Sequence, residues 1–311
     1  MSTTTAITLP PVQHLRQPGT PAAQRIDAFP TTLHHIQVEL AVGVPLLTAL
    51  REIVLDQGFG SAFGEIRGGS LTAFEYFIPA LCTTGTSVAA FSDPFVARGP
   101  VSFIRGGITI GRRDDAPWTH CHAQFVDADG VMRAGHLLPE SVVVGPGVML
   151  DIYASRDVTM TALPDEEINF SVFQPHSDHD HTAPIPNPVD TDDSRAIVAR
   201  VHANVDLVEA IEDICAAHGF TSAVIRGKIG SLVGATLLQG DNLVCAPGPA
   251  VEVMYLDGSV RRDPDGVVQA DLTCAVTAID GMVYTGSLIK GHNPVALTFE
   301  LALTEPTEVR P

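Results

Sequence analysis

Residues 119–140, THCHAQFVDADGVMRAGHLLPE, place His120, His122 and His136 around one turn. On a strand, His120 and His122 share one face, and Cys121 faces the core on the other. The DADG run is a turn signal, and Gly130 suits the left-handed position of a three-residue hairpin loop. With 128–130 as that loop, His122 lies opposite His136. Cross-strand neighbours hold their Cβ atoms roughly 4.5–5.5 Å apart, so the three imidazoles converge on one face. They predict a site for one divalent metal ion. Three histidine ligands leave coordination positions open, as catalytic sites do and closed structural sites do not. Imidazole suits zinc, iron, nickel or copper. The competing reading is three polar residues on a solvated sheet face.

Other residues are candidates for work beside that ion. Glu140 follows His136 by four positions and serves as a general base if the strand continues past Pro139. Arg67, in GEIRGGSL with Glu65 and Ser70, and Arg105, before two glycines, are candidates to orient an anionic substrate. For both arginines the competing reading is an exposed charge at a strand end. His176, His179 and His181 form a second histidine run that reads as a solvated linker. His14, His34 and His35 lie on or beside an N-terminal arm able to approach the site.

The elements that position these residues occur twice. LLTALREIVLDQGFGSAF (46–63) and LVEAIEDICAAHGFTSAV (207–224) match at a constant offset, which also carries Gly69-Ser70-Leu71 onto Gly230-Ser231-Leu232. The hairpin recurs as AIDGMVYTGS (278–287) at a slightly shorter offset. A tandem duplication follows. Each copy reads as a strand, then a helix, then short β-rich runs with Gly and Asp turns. Leu46, Leu50, Ile53 and Val54 form the first helical stripe; Leu207, Ile211, Ile214 and Cys215 form the second. The predicted fold class is α+β, each copy a mostly antiparallel sheet packed on one main helix. The predicted boundaries are an arm over 1–32, a first domain over 33–171, a His/Asp/Pro-rich linker over 172–193 and a second domain over 194–311. In the second copy Asp271, Thr273 and Ser287 stand where the histidines stood. That copy is expected to be degenerate and metal-free, with a structural or interface role.

With 18 Lys+Arg against 36 Asp+Glu, the net charge is −18. Nucleic-acid affinity rests on cations that neutralise phosphate, so DNA is not expected as a partner. No apolar run reaches the roughly 18–20 residues of a membrane span, and the first thirty residues lack the pattern of a secretory signal. Five scattered cysteines without a CxxC pair suit a reducing cytoplasm.

The strand–helix opening with Gly58-Phe59, the GGSL turn at 68–71 and the hairpin HCHAQFVDADGVMRAGHL at 120–137 together resemble the PPC (plants-and-prokaryotes-conserved) domain family. The family hairpin reads His-x-His, Asp-Gly, then Gly-Gly-His-Leu; here Ala134 replaces the first glycine of the last element. The resemblance covers about 33–165 well and about 195–305 more weakly. It implies a compact α+β domain, a homotrimer and a metal site, zinc in prokaryotic relatives, at His120, His122 and His136. In plants the domain is fused to AT-hooks, and this chain has no Arg-Gly-Arg-Pro core. Two functions compete. One is a metal-dependent lyase, hydratase or isomerase acting on a small anionic metabolite, preferred because three histidines leave the ion open. The other is a non-catalytic binding or regulatory module for a ligand, protein or DNA, with a structural metal.

Overall fold

The computed structural model describes residues 8–177 and 193–306. The first half runs β1 (Ile26–Glu39), α1 (Leu46–Ile53), β2 (Ser61–Arg67), β3 (Ser70–Leu71), β4 (Phe74–Phe77), β5 (Pro79–Ala80), β6 (Ala90–Phe91), β7 (Phe95–Ala97), β8 (Val101–Arg113), β9 (Ala116–Val126), β10 (Met132–Leu137), β11 (Met149–Ser155), β12 (Val158–Asp165) and β13 (Phe170–Ser177). The second runs β14 (Asp193–His202), α2 (Leu207–Ala217), β15 (Ser222–Leu232), β16 (Ala235–Gln239), β17 (Asn242–Ala246), β18 (Val251–Arg262), β19 (Val268–Thr277), β20 (Val283–Leu288) and β21 (Val295–Thr304).

The helices form where the periodicity placed them. Leu46, Ala49 and Leu50 bury one face of α1, and Gly58 takes the left-handed conformation after the turn that follows. Asp206 caps α2 by accepting from the amides of Val208 and Glu209. The rest is sheet. The expected α+β class gives way to a strand-dominated, mostly antiparallel fold, because each half has one short helical stripe and long β-rich runs. Among the described residues, no helix is long and apolar enough to cross a membrane.

The halves share one pairing scheme. β11 pairs with β1 and β2 as β21 pairs with β14 and β15. The ladders β2–β8–β9–β10–β4–β7 and β15–β18–β19–β20–β16–β17 have the same order. Each half has its own core beneath its helix. A third cluster, with Leu33, Phe63, Met160, Phe173, Val198 and Ala302, joins them.

Two predicted boundaries move. Residues 26–34, within or next to the expected arm, are the part of β1 that pairs with β14, while 33–39 pair with β11. β1 therefore ties the first half to the second through backbone hydrogen bonds. The predicted linker starts too early, since Phe170–Ser177 is β13, antiparallel to β12, with Phe173 buried. Pro175 fits there because β13 has a paired neighbour on one side. His176 is exposed on this strand; His179 and His181 lie outside the described residues.

Candidate metal centre

Strands β9 and β10 form the predicted hairpin, with His122 directly opposite His136. Gly130 has φ +76°, as the loop requires. Gly135 has a different reason: a Cβ there would meet the Phe77 carbonyl oxygen at 2.2 Å, so only glycine lets β10 close against β4. Cys121 is buried in the core shared with Leu46 and Leu50, and burial pushes its thiol up to about 12. The opposite face of β9 turns its histidines toward the second half.

There the donor atoms converge. His120 Nε2 lies 3.0 Å from His122 Nε2, and His136 Nδ1 lies 3.3 Å from the same atom. Donors sharing one four-coordinate ion at roughly 2.0–2.1 Å stand about 3.3 Å apart, so the spacing fits one ion. The second half sets the ring orientations. His122 Nδ1 donates to the Val253 carbonyl at 2.9 Å, and His120 Nδ1 donates to Glu300 Oε1 at 2.8 Å. Both Nε2 atoms then present lone pairs to each other. A proton on His136 Nδ1 satisfies His122 Nε2 but leaves His120 Nε2 facing a lone pair. Protonating the cluster is unfavourable: burial first, and then repulsion from His120, hold His136 well below its ordinary value, and His122 likewise with His136 adding to the repulsion. A metal cation accepts all three lone pairs, and outer acceptors of this kind are what orient metal-bound histidines.

The centre lies on a cavity of about 180 Å³ lined from both halves. The first half contributes Phe91, Trp118 and Phe170; the second contributes Ser231, Leu297 and Thr298. Phe91 packs on the His136 ring at 4.8 Å. Glu252 of β18 points its Oε1 to 3.7 Å from His122 Nε2 and 3.9 Å from His136 Nδ1. Burial pushes its carboxyl up to about 8. Glu252 and Glu300 escaped the sequence reading. Each is a lone acid in an apolar strand (VEVMYL, VALTFELAL), and that signal would have found them.

The other predicted residues sit elsewhere. Glu140 is exposed on a short 3-10 turn, because β10 ends at Leu137 and Pro139 starts that turn. Arg67 and Arg105 do not line the cavity. Both belong to a charge cluster between the halves. Arg105 reaches Glu65 and Asp257, the latter at 2.8 Å, and its guanidinium stacks on Tyr255. Lys228 bonds Glu65 and, at 3.0 Å, Asp257; Arg67 also pairs with Glu65. Burial pushes the Glu65 carboxyl up, but Lys228 and Arg105 outweigh it and hold the group below its ordinary value. His34 pairs with Asp193 and His35 with Asp151, and neither they nor His14 line the cavity.

Residues 190–307 match the family model of the Plants and Prokaryotes Conserved (PCC) domain. The match falls on the half where the weaker resemblance was expected. No curated protein matches the chain. Among solved structures, the chain is similar to a proposed DNA-binding protein from Ralstonia eutropha, at 21% identity and TM-score 0.36, over 45% of this chain and 89% of that one. It is also similar to a plant- and prokaryote-conserved protein from Pyrococcus horikoshii, at 15% identity and TM-score 0.34, over 50% and 97%. A metal-containing protein from Archaeoglobus fulgidus matches at 15% identity and TM-score 0.31, over 48% and 93%. The Ralstonia description overturns the expectation that DNA is not a partner. That expectation rested on chain-wide charge, which does not report the local surface that meets a phosphate backbone.

Proposed function

We propose that the chain, whose residues 190–307 match the Plants and Prokaryotes Conserved domain, is a binding module built on one metal centre per chain. His120, His122 and His136 hold the ion. The carrying observation is the pair of Nε2 atoms 3.0 Å apart, with both Nδ1 atoms already committed to the Val253 carbonyl and Glu300. Three imidazoles at this spacing favour zinc. The bound ion adds positive charge to the cavity wall, where it attracts an anionic head group. Phe91, Trp118 and Phe170 take the apolar body of such a ligand, and the shared cavity makes its binding sensitive to how the halves pack. The catalytic alternative has less support, since Glu140, Arg67 and Arg105 all stand off this cavity.

The second half acts as the scaffold that orients the histidines. Its matching pairing scheme supports an origin by tandem duplication. Five free cysteines among the described residues suit a reducing, cytoplasmic setting.

Elemental analysis of the dialysed protein beside H136A tests the reading. About one zinc per chain, lost in the variant, is expected. A wild-type protein that takes up no metal after reconstitution overturns it.

A further inference from the structure

We infer that Glu252 of the second half is the fourth donor to the three-histidine centre, so that neither half holds a complete site. The inference rests on the metal-site reading above. It deepens that reading by making the centre three imidazoles and one carboxylate drawn from two halves.

Five glutamates are buried among the described residues: Glu65, Glu167, Glu212, Glu252 and Glu300. Four have a donor in place. Glu65 has Lys228 and Arg105, Glu167 has Arg25, Glu212 has Lys290, and Glu300 has His120 Nδ1. Glu252 is the exception. Its Oε2 has no hydrogen-bond partner, and its ion-pair neighbours among the described residues are His122 and His136. Yet it is only 6% exposed. A buried carboxylate without a donor either takes up a proton or faces a cation. The point it faces is the point where three imidazole lone pairs meet.

The repeat supports the same assignment. In β18, Glu252 lies opposite Thr277 of β19; in β8, Ser102 takes that place opposite Val126 of β9. The first half therefore keeps the histidines and has Ser102. The second keeps the glutamate and has Asp271, Thr273 and Ser287. The losses are complementary, as a single shared centre requires. A divalent cation of the zinc or cobalt class suits three nitrogens and one carboxylate oxygen.

The test uses the full chain, stripped with a chelator and titrated with cobalt(II), for the wild type, E252Q and E252D. The expected result is at least a tenfold loss of cobalt affinity in E252Q, with a changed visible absorption band. E252D, which keeps the charge, should lose less. The metal-free variants should melt no lower than the metal-free wild type, which separates loss of a ligand from loss of fold. Wild-type affinity and an unchanged band in both variants overturn the inference while leaving the three-histidine reading standing. A wild type that binds no cobalt overturns both.

Discussion

The two halves fold alike and differ where chemistry is concentrated. On β9–β10 the inner face carries His120, His122 and His136; on β19–β20 the same positions carry Asp271, Thr273 and Ser287, with Thr273 opposite Ser287 as His122 is opposite His136. The reverse holds on the neighbouring strands. Glu252 and Glu300 of the second half stand where the first has Ser102 and Met149, the latter judged from the equivalent pairs Glu39–Met149 and Arg200–Glu300. The second half is thus more than a degenerate copy. It supplies the acceptors that fix two histidine rings, and it forms part of the cavity wall. Two halves with one pairing scheme can divide the residues of a site between them, provided the two stay packed together.

The sharpest way to break the comparison is to exchange the roles. H122A should lose the bound ion, an effect larger than the roughly 10–100-fold that outer-shell changes cost. T273A, at the equivalent place, should leave metal content unchanged, as elemental analysis of both variants will show. If T273A also loses the ion, the halves are not divided as described.

Stability comes next. E65Q leaves Lys228 and Arg105 facing an amide across the boundary between the halves, and breaking such a buried cluster costs about 3 kcal/mol. The Glu65 carboxyl is depressed below its ordinary 4.5 in the folded chain. Its stabilisation is therefore present above that value and lost as the pH falls through the folded one. Urea unfolding across this window should show the acid-side loss in the wild type and a shallower one in E65Q.

A smaller effect concerns ring orientation. E300Q should weaken metal binding by roughly 10–100-fold without abolishing it, since His120 keeps its place but loses its carboxylate acceptor. Isothermal titration with zinc reads the difference. The smallest is a contrast between helices. α2 is capped by Asp206, whereas α1 begins at Pro45 with no side-chain cap. D206A should cost about 1 kcal/mol, visible as a lower thermal midpoint, with metal stoichiometry intact.

Much of this was legible in the residues themselves. The alternation His120-Cys121-His122, the DADG turn and the spacing to His136 are local. Strand periodicity and turn geometry fix them without help from the rest of the chain. The helical stripes from Leu46 and Leu207 are local in the same sense. The family resemblance was legible too, although it was expected to be stronger in the half with the histidines. The roles of Arg67 and Arg105 were not legible. Both looked free because their partners, Glu65, Lys228 and Asp257, come from different strands and from both halves. Nor was the start of the sheet: residues 26–32 read as part of a loose arm because the strand that pairs with them, β14, begins far along the chain at Asp193.

The sequence by itself determined the hairpin, the two helices and the convergence of three imidazoles, because each depends on neighbours a few residues away. Only the tertiary structure decided what those imidazoles meet. Glu252 and Glu300 are more than a hundred residues from the hairpin, and nothing local places them there. They reach it because the shared pairing of β1 and the packing of β9 against β18 bring two separate cores face to face, and a buried carboxylate acquires a role only from what it is buried against.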